Sequence, residues 1–169
     1  DAFEKKMINK IFKILVLIFI LPNISVAKEN SILNIGSEEA KVVVKVFSSL
    51  TCPHCADFHS KVFINLKKDY IDTKKVKFEH HSFPLDLAAL NAEIILRSVK
   101  NKEKSFLFLG EIYKKQNQWA VGSDINKINN SIKKIGVNFG LDSKTIELSL
   151  KDEKIQDQIL NERIEAQKK

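Results

Sequence analysis

Apolar residues change their spacing along the chain, and the change separates a strand–helix–strand unit from a helical tract. An almost continuous apolar run at 42–47 predicts a central strand covered on both faces. Across 53–66 the apolar positions recur at helical spacing, and Val76 and Phe78 then alternate with polar residues. Residues 42–83 therefore predict a βαβ unit, for which a right-handed crossover is expected.

Short polar residues that cap helices divide the rest of the chain into several helices. Asp86 can begin a helix that runs to Lys100, and a second helical pattern covers 103–116. The last helix is expected to present three isoleucines on one side, which need a surface to cover them. The remaining candidate caps are Ser123 or Asp124, Asp142 or Ser143, and Asp152, and the three isoleucines are Ile155, Ile159 and Ile164.

The first 27 residues have the pattern of an export signal. An apolar stretch at 11–21 is shorter than the roughly 20 residues that span a bilayer, and Ser25-Val26-Ala27 follows it with small residues where a signal peptidase reads them. We expect cleavage after Ala27 and no stable membrane insertion afterwards. An uncleaved anchor or a buried helix is the alternative.

The amino-acid composition limits which classes of protein and function remain possible. The 169 residues are 44% hydrophobic and 29% charged, as in a globular domain, and the net charge is +7. The lysines stand beside acids at helical spacing, which indicates a solvated surface and argues against nucleic-acid binding. The two cysteines cannot form a disulfide scaffold, but only Pro53 and His54 separate Cys52 from Cys55.

This Cys-Pro-His-Cys segment lies where a buried strand runs into a helix. The N–H groups at the helix start stabilise a thiolate at Cys52, which we predict to be the nucleophile. Cys55, one turn further, is placed to attack a mixed disulfide as the resolving thiol. Pro53 starts the helix and His54 can add a positive charge or a donor, so both stabilise the reduced form and favour disulfide donation.

Two other interpretations of the cysteine pair stay open. A zinc site is conceivable, although no second CxxC is present. A purely structural disulfide would close too small a loop to stabilise the fold much. For the histidines outside the motif we assign no role, because surface or hydrogen-bonded histidines are the usual case, and Trp119 is expected in the core. The candidate zinc ligands are Cys52, Cys55, His54, His59, His80 and His81.

The chain resembles the DsbA-like thiol:disulfide oxidoreductases of the thioredoxin superfamily. The matching segments are IGSEEAKVVVKVFSSLTCPHCADFH, HHSFPLDLAAL and QNQWA, and the resemblance runs from about Ile32 to the last residue. It implies a thioredoxin fold interrupted by a helical domain, and it implies that Cys52 attacks, Cys55 resolves, and Pro53 and His54 tune the pair.

The resemblance also implies a setting. The expected enzyme works in the bacterial periplasm, oxidises newly exported reduced proteins through its Cys52–Cys55 disulfide without a bound cofactor, and is reoxidised by a DsbB-like membrane partner. A reductase or isomerase, or a non-catalytic remnant, is the alternative.

Two departures from the family pattern stand out. Many relatives place an acid six residues before the first cysteine, but here that residue is Val46, with Lys45 beside it. The family also continues into a cis-proline loop, a hairpin and a final helix, so residues up to Lys169 are expected to lack half of the thioredoxin sheet and to be a poor enzyme.

The predicted fold class is therefore α/β, with a thioredoxin-like βαβ unit and a helical insertion. The expected organisation is a signal segment with upstream residues at 1–27, the βαβ part at 28–85, the helical domain at 86–150 and a connecting helix at 151–169.

Overall fold

A mixed sheet of three strands forms the base of the fold in the computed structural model, which describes residues 32–168. The strands are β1 (Leu33–Gly36), β2 (Val42–Ser48) and β3 (Val76–Ser82), in the order β1-β3-β2. β2 and β3 are parallel, as the predicted βαβ unit requires, and β1 pairs antiparallel with β3. The predicted α/β fold class is confirmed.

The central position in this sheet belongs to β3. Among the described residues β2 pairs only with β3, so the expectation that 42–47 form the central strand is wrong for this part of the chain. Val42 and Val43 are 53% and 43% exposed, whereas β3 is buried along most of its length. The valine-rich run correctly predicts a strand. Which position that strand takes in the sheet depends on its pairing partners, and periodicity does not show them.

The helix after β2 contains two π-helical turns. It begins as α1 (Pro53–Phe58), passes through a π-helical turn (His59–Phe63), continues as α2 (Ile64–Leu66) and ends in a second π-helical turn (Lys67–Ile71). Pro53 occupies the first helical position, as predicted. The residues buried in the two π turns are Phe63 and Ile71.

Capping aspartates begin most of the later helices. The side chains of Asp86, Asp124 and Asp142 accept backbone N–H groups of the helices that follow them, as predicted, and so does Asp152. The first of these helices ends at Arg97 rather than Lys100, because the unpredicted cap Asn101 starts the next. The helices are α3 (Leu87–Arg97), α4 (Lys102–Lys114), α5 (Gln116–Trp119), α6 (Ile125–Val137), α7 (Ser143–Ser149) and α8 (Glu153–Gln167).

One core joins the sheet to the helical tract. Phe63, Phe78 and Phe106 bring together the helix after β2, β3 and α4, with ring centroids 4.8–6.1 Å apart. Trp119 is buried, as expected, and its indole N–H donates to the Ile112 carbonyl at 2.8 Å. The sheet and the helices therefore share one hydrophobic interior.

The last helix packs against other elements of this fold. α8 packs against α3 and β3, and Ile159 is fully buried there, so this isoleucine does not lack a surface. Ile164 is 47% exposed. The predicted export signal lies outside the described residues, and no helix in 32–168 is both long and apolar enough to cross a membrane.

Candidate active site

The first cysteine of the motif caps the active-site helix. Cys52 has extended backbone angles, and its carbonyl accepts the N–H groups of Cys55 at 3.1 Å and Ala56 at 3.2 Å. Its own N–H donates to the Ser49 carbonyl at 3.1 Å, which closes the turn after β2. Cys52 therefore occupies the N-cap, next to the backbone N–H groups that have no partner within the first helical turn.

The two thiols have different surroundings. Both are free and partly buried. Burial raises the pKa of Cys55 to about 11, and the neighbouring Cys52 adds to this shift, while a hydrogen bond from the Ser49 backbone opposes it. Cys55 therefore keeps its proton at neutral pH. The predicted tuning residues Pro53 and His54 are both exposed next to the thiols.

A glutamine from the helical tract holds the loop that carries Cys52. The Gln116 amide donates to the Leu50 carbonyl at 2.8 Å and to the Cys52 carbonyl at 3.0 Å. On the other side of the loop, the Thr51 hydroxyl donates to Asp86 at 2.8 Å, and Asp86 also caps α3. Sequence reasoning assigned no site role to Gln116 or Thr51, because both contacts join residues far apart in the chain.

Each of the three histidines outside the motif contacts other side chains. His80 and His81 are buried, and His81 contacts the Glu79 carboxylate at 2.9 Å. The His59 ring stacks on that of Phe63, with centroids 4.6 Å apart, and it contacts the tilted ring of Tyr113 at 5.2 Å. Burial, with the charge of His80, lowers the pKa of His59 to about 4. Within residues 32–168, no three of the candidate ligands gather as a metal site would require.

His80 belongs to a buried polar network. Its Nδ1 lies 3.2 Å from the Ser48 hydroxyl, and its Nε2 lies 3.1 Å from the Glu93 carboxylate. Burial alone would raise the pKa of Glu93, but His80 and Arg97 outweigh it and lower the pKa to about 2. His80 is therefore held in the core by a hydroxyl and a buried carboxylate, contacts that the sequence did not reveal.

The same network reaches the last helix. Arg97 contacts Glu93 at 3.3 Å and Glu162 at 2.9 Å. Glu162 also accepts the Ser82 N–H at 3.1 Å, and Arg97 donates to the Ser82 hydroxyl at 2.8 Å. Charged groups from α3 and α8 thus meet at the end of β3, close to the cysteine-bearing loop.

The position six residues before Cys52 contains no acid, as the sequence shows. Val46 pairs across β2 and β3 with His80, and Lys45 pairs with Glu79, the two charged groups being 3.6 Å apart. Glu93, a buried acid on α3, contacts the ring of His80, the residue that pairs with Val46.

Known sequences that are similar to this chain carry thioredoxin or disulfide-chemistry names. A family model described as "Thioredoxin" matches residues 28–169. A Rickettsia bellii protein named "Putative protein-disulfide oxidoreductase" is 32% identical over 126 residues, which cover 75% of this chain and 48% of that protein. "Disulfide bond formation protein D" of Bacillus subtilis is 28% identical over 123 residues, covering 66% and 54%.

Solved structures agree with the sequence relatives. Wolbachia pipientis alpha-DsbA1 aligns with a TM-score of 0.73 at 28% identity, covering 86% of this chain and 68% of that one. The thiol-disulfide exchange protein alpha-DsbA2 of the same organism aligns with a TM-score of 0.64 at 26% identity, covering 82% and 70%.

The fold and the cysteine-capped helix define a thioredoxin-like protein. More narrowly, the chain belongs to the DsbA-like group of the thioredoxin superfamily. It spans about half the length of the curated relatives it matches.

Proposed function

We propose that this chain is a thiol:disulfide oxidoreductase that donates the Cys52–Cys55 disulfide to reduced proteins. The observation that carries the proposal is the contrast between the two thiols: Cys52 caps the helix, and burial holds the pKa of Cys55 at about 11. A nucleophilic thiol and a protonated resolving thiol are the two parts that thiol–disulfide exchange needs.

The reaction proceeds by two exchanges. A substrate thiolate attacks the Cys52 sulfur, the Cys52–Cys55 bond breaks, and Cys55 leaves as a thiolate that takes up a proton. A second substrate thiolate then attacks its partner sulfur in the mixed disulfide, and Cys52 leaves as a thiolate. Two electrons pass from the substrate to the protein, the substrate gains a disulfide, and the protein is left as the dithiol.

The favoured direction of disulfide exchange follows from the groups that stabilise the reduced form of the cysteine pair. The helix start favours the Cys52 thiolate, and the exposed His54 can contribute a positive charge beside it. Pro53 at the first helical position fixes the backbone that presents these groups. A stabilised dithiol makes the disulfide a stronger oxidant, so donation is favoured over reduction.

The expected setting is the bacterial periplasm, with the signal cleaved after Ala27. There the substrates are newly exported reduced proteins, and a DsbB-like membrane protein restores the disulfide. The disulfide itself is the redox group, so the proposal includes no bound cofactor, and it includes no nucleic-acid partner. The names of the relatives, which concern disulfide formation and exchange, support the disulfide as the redox group.

The test is oxidation of a reduced model protein that needs disulfides to fold. We expect the oxidised chain to accelerate disulfide formation, and Cys52→Ser and Cys55→Ser to abolish catalytic turnover. The matched control is Ser60→Ala, at an exposed position further along the same helix. A reduction potential as low as that of thioredoxin, about −270 mV, would instead identify a reductase.

A further inference from the structure

A cavity of about 320 Å³ opens beside the loop that carries Cys52. Thr51, the residue before Cys52, forms part of its wall, and the rest of the lining comes from the start of α3, the segment between α5 and α6, and the start of α6. We call this cavity the α3–α6 pocket. Its volume is at the lower end of the range of about 300–1,000 Å³ that ligand pockets have, which suits one large side chain.

The interior of the α3–α6 pocket is apolar. Ile128, on α6, is 5% exposed and lies deepest, and Ala88, Ala120 and Ile125 are partly buried and pack against the hydrophobic core. Leu87, on the first turn of α3, is 56% exposed and lies at the mouth. A side chain that enters the pocket therefore meets mostly hydrocarbon, and the burial of its own apolar surface favours binding.

Further exposed apolar side chains flank the mouth of this pocket. Leu85 and Val121 are 58% and 62% exposed, and each is next in sequence to a residue that lines the pocket. Single exposed apolar residues are ordinary on a soluble protein, but a group of them around a cavity, with polar residues at its edge, marks a site of interaction. The surface around the α3–α6 pocket therefore favours an apolar ligand.

The polar edge of the pocket carries negative charge. One oxygen of Asp86 accepts a backbone N–H of α3 at 2.7 Å, and the other accepts the Thr51 hydroxyl at 2.8 Å. A carboxylate has about four lone-pair sites, so the exposed Asp86 can accept a further N–H group from a ligand. Asp124, which caps α6 beside the lining residue Ser123, adds a second carboxylate, and its partner Lys127 lies 4.0 Å away. This edge accepts donors and repels acids.

The pocket lies within reach of a substrate joined to Cys52. In a mixed disulfide, the Cα atom of the substrate cysteine lies about 5.5–6 Å from that of its partner. A reduced substrate that has not folded can extend its chain, which then advances about 3.3 Å per residue with side chains on alternate sides. The side chain two positions from the substrate cysteine therefore faces the protein, about 7 Å along. The α3–α6 pocket begins at Thr51, the neighbour of Cys52.

We propose, on the basis of the function proposed above, that the α3–α6 pocket is a substrate subsite for an apolar residue two positions from the reacting cysteine. The apolar side chain enters between Leu87 and Ile128, the substrate backbone donates to Asp86, and an acidic residue at that position is disfavoured. The exchange itself stays with Cys52 and Cys55. The helical tract thereby selects which cysteines of an unfolded protein react.

The experiment uses the reduced full chain and peptides that contain one cysteine, joined through a disulfide to thionitrobenzoate. The Cys52 thiolate attacks the peptide sulfur, the bond to thionitrobenzoate breaks, and the coloured thiolate leaves with the electron pair. Cys55 then attacks the Cys52 sulfur and releases the peptide thiolate. Stopped-flow absorbance gives the second-order rate of the first step. The peptides differ only two positions before and after the cysteine, where both residues are leucine, asparagine or aspartate.

Leu87→Asn tests the apolar wall of the pocket. In the unaltered chain we expect the leucine peptide to react about tenfold faster than the asparagine peptide, and in Leu87→Asn we expect this ratio to fall to about threefold or less. Taking the ratio within one protein cancels any change in the reactivity of Cys52. Leu148→Asn, at an exposed leucine of α7, is the matched control and should keep the ratio of the unaltered chain.

Asp86→Asn tests the charge at the edge. Asparagine still caps a helix, but the carboxylate is removed. We expect the rate of the aspartate peptide, relative to that of the asparagine peptide, to rise by about threefold in this variant. Asp152→Asn makes the same change at the cap of α8 and should leave this ratio unaltered.

Equal rates for the leucine and asparagine peptides in the unaltered chain would overturn the proposal. A leucine preference that persists in Leu87→Asn, or that falls equally in Leu148→Asn, would do the same. Where Leu87→Asn fails to fold, Asp86→Asn decides, because an unchanged aspartate ratio contradicts the subsite. Absence of coloured thiolate with every peptide would contradict the proposed function, whereas release at equal rates contradicts the subsite alone.

Discussion

The Gln116 side chain donates a hydrogen bond of 3.0 Å to the carbonyl of Cys52, and a second bond fixes Leu50 in the same loop. The start of α5 is thereby attached to the turn that positions the nucleophile. The helical tract therefore takes part in shaping the active site, although it contributes no thiol.

Removing this amide should loosen the loop. For Gln116→Leu we expect a loss of about 1–3 kcal/mol in the free energy of unfolding, because the buried Leu50 loses the donor to its carbonyl and the Cys52 carbonyl loses one of its three donors. We also expect slower reaction of Cys52 with a small disulfide. Urea unfolding and stopped-flow kinetics measure the two effects, and Gln118→Leu, at an exposed position on the same helix, is the control. Wild-type values for Gln116→Leu would show that the loop holds its shape unaided.

The two thiols should differ in alkylation. At neutral pH we expect iodoacetamide to modify Cys52 first, because burial raises the pKa of Cys55 to about 11 and leaves little thiolate there. Mass spectrometry after short exposure identifies the modified residue, and the Cys52→Ser variant isolates the rate at Cys55. Equal rates at the two thiols would contradict the assignment of their functions.

His54 should influence the redox balance. We expect His54→Ala to make the reduction potential more negative by about 30 mV, which corresponds to a tenfold change in the exchange equilibrium, because one stabiliser of the dithiol is lost. Equilibration with glutathione buffers measures the potential. The control is Asp57→Ala, a second exposed residue of α1. An unchanged potential in His54→Ala would leave the helix start as the source of the effect.

His59 should make stability depend on pH. Its folded pKa of about 4 lies below the ordinary value of 6.5, so the folded state favours the neutral ring, and the stabilisation is complete above pH 6.5. It is lost as the pH falls from 6.5 towards 4. We expect the free energy of unfolding to fall by on the order of 1–3 kcal/mol across this range.

His59→Leu should remove that part of the pH dependence, and urea unfolding at several pH values provides the comparison. The titration of Glu93 does not contribute to the pH dependence between pH 6.5 and 4.5. The folded pKa of Glu93 is about 2, against 4.5 ordinarily, so the stabilisation from this carboxylate is lost only below pH 4.5. An identical slope between pH 6.5 and 4.5 in the two proteins would contradict the assignment.

Much of the fold was predictable because its signals are local. Asp86 and Asp142 cap their helices through neighbours three residues away, and Pro53 starts the active-site helix by the geometry of its own ring. The Cys52–Cys55 pair was predictable for the same reason. Local spacing alone places both thiols on one helical turn.

The polar network was not predictable because its members meet only in three dimensions. His80 lies 13 positions before Glu93, and Arg97 joins a glutamate 65 positions away. One signal was present: Glu93 interrupts an apolar run on α3 whose neighbours Ile94 and Ile95 are fully buried. A charged residue in such a run indicates a buried partner, but the sequence does not say which one.

The two π-helical turns affect how the sequence of this helix aligns with the helices of related proteins. A π turn holds one residue more than an α turn, so each one shifts all later side chains by one position around the helix axis. The first π-helical turn lies between Phe58 and Ile64, after the cysteines and before the second π-helical turn. Deleting one exposed residue there, Ser60 or Lys61, would convert the turn to ordinary winding and leave the cysteines in place. Length variation among related helices is therefore expected at this point, and an alignment without gaps across it would pair residues that face different sides.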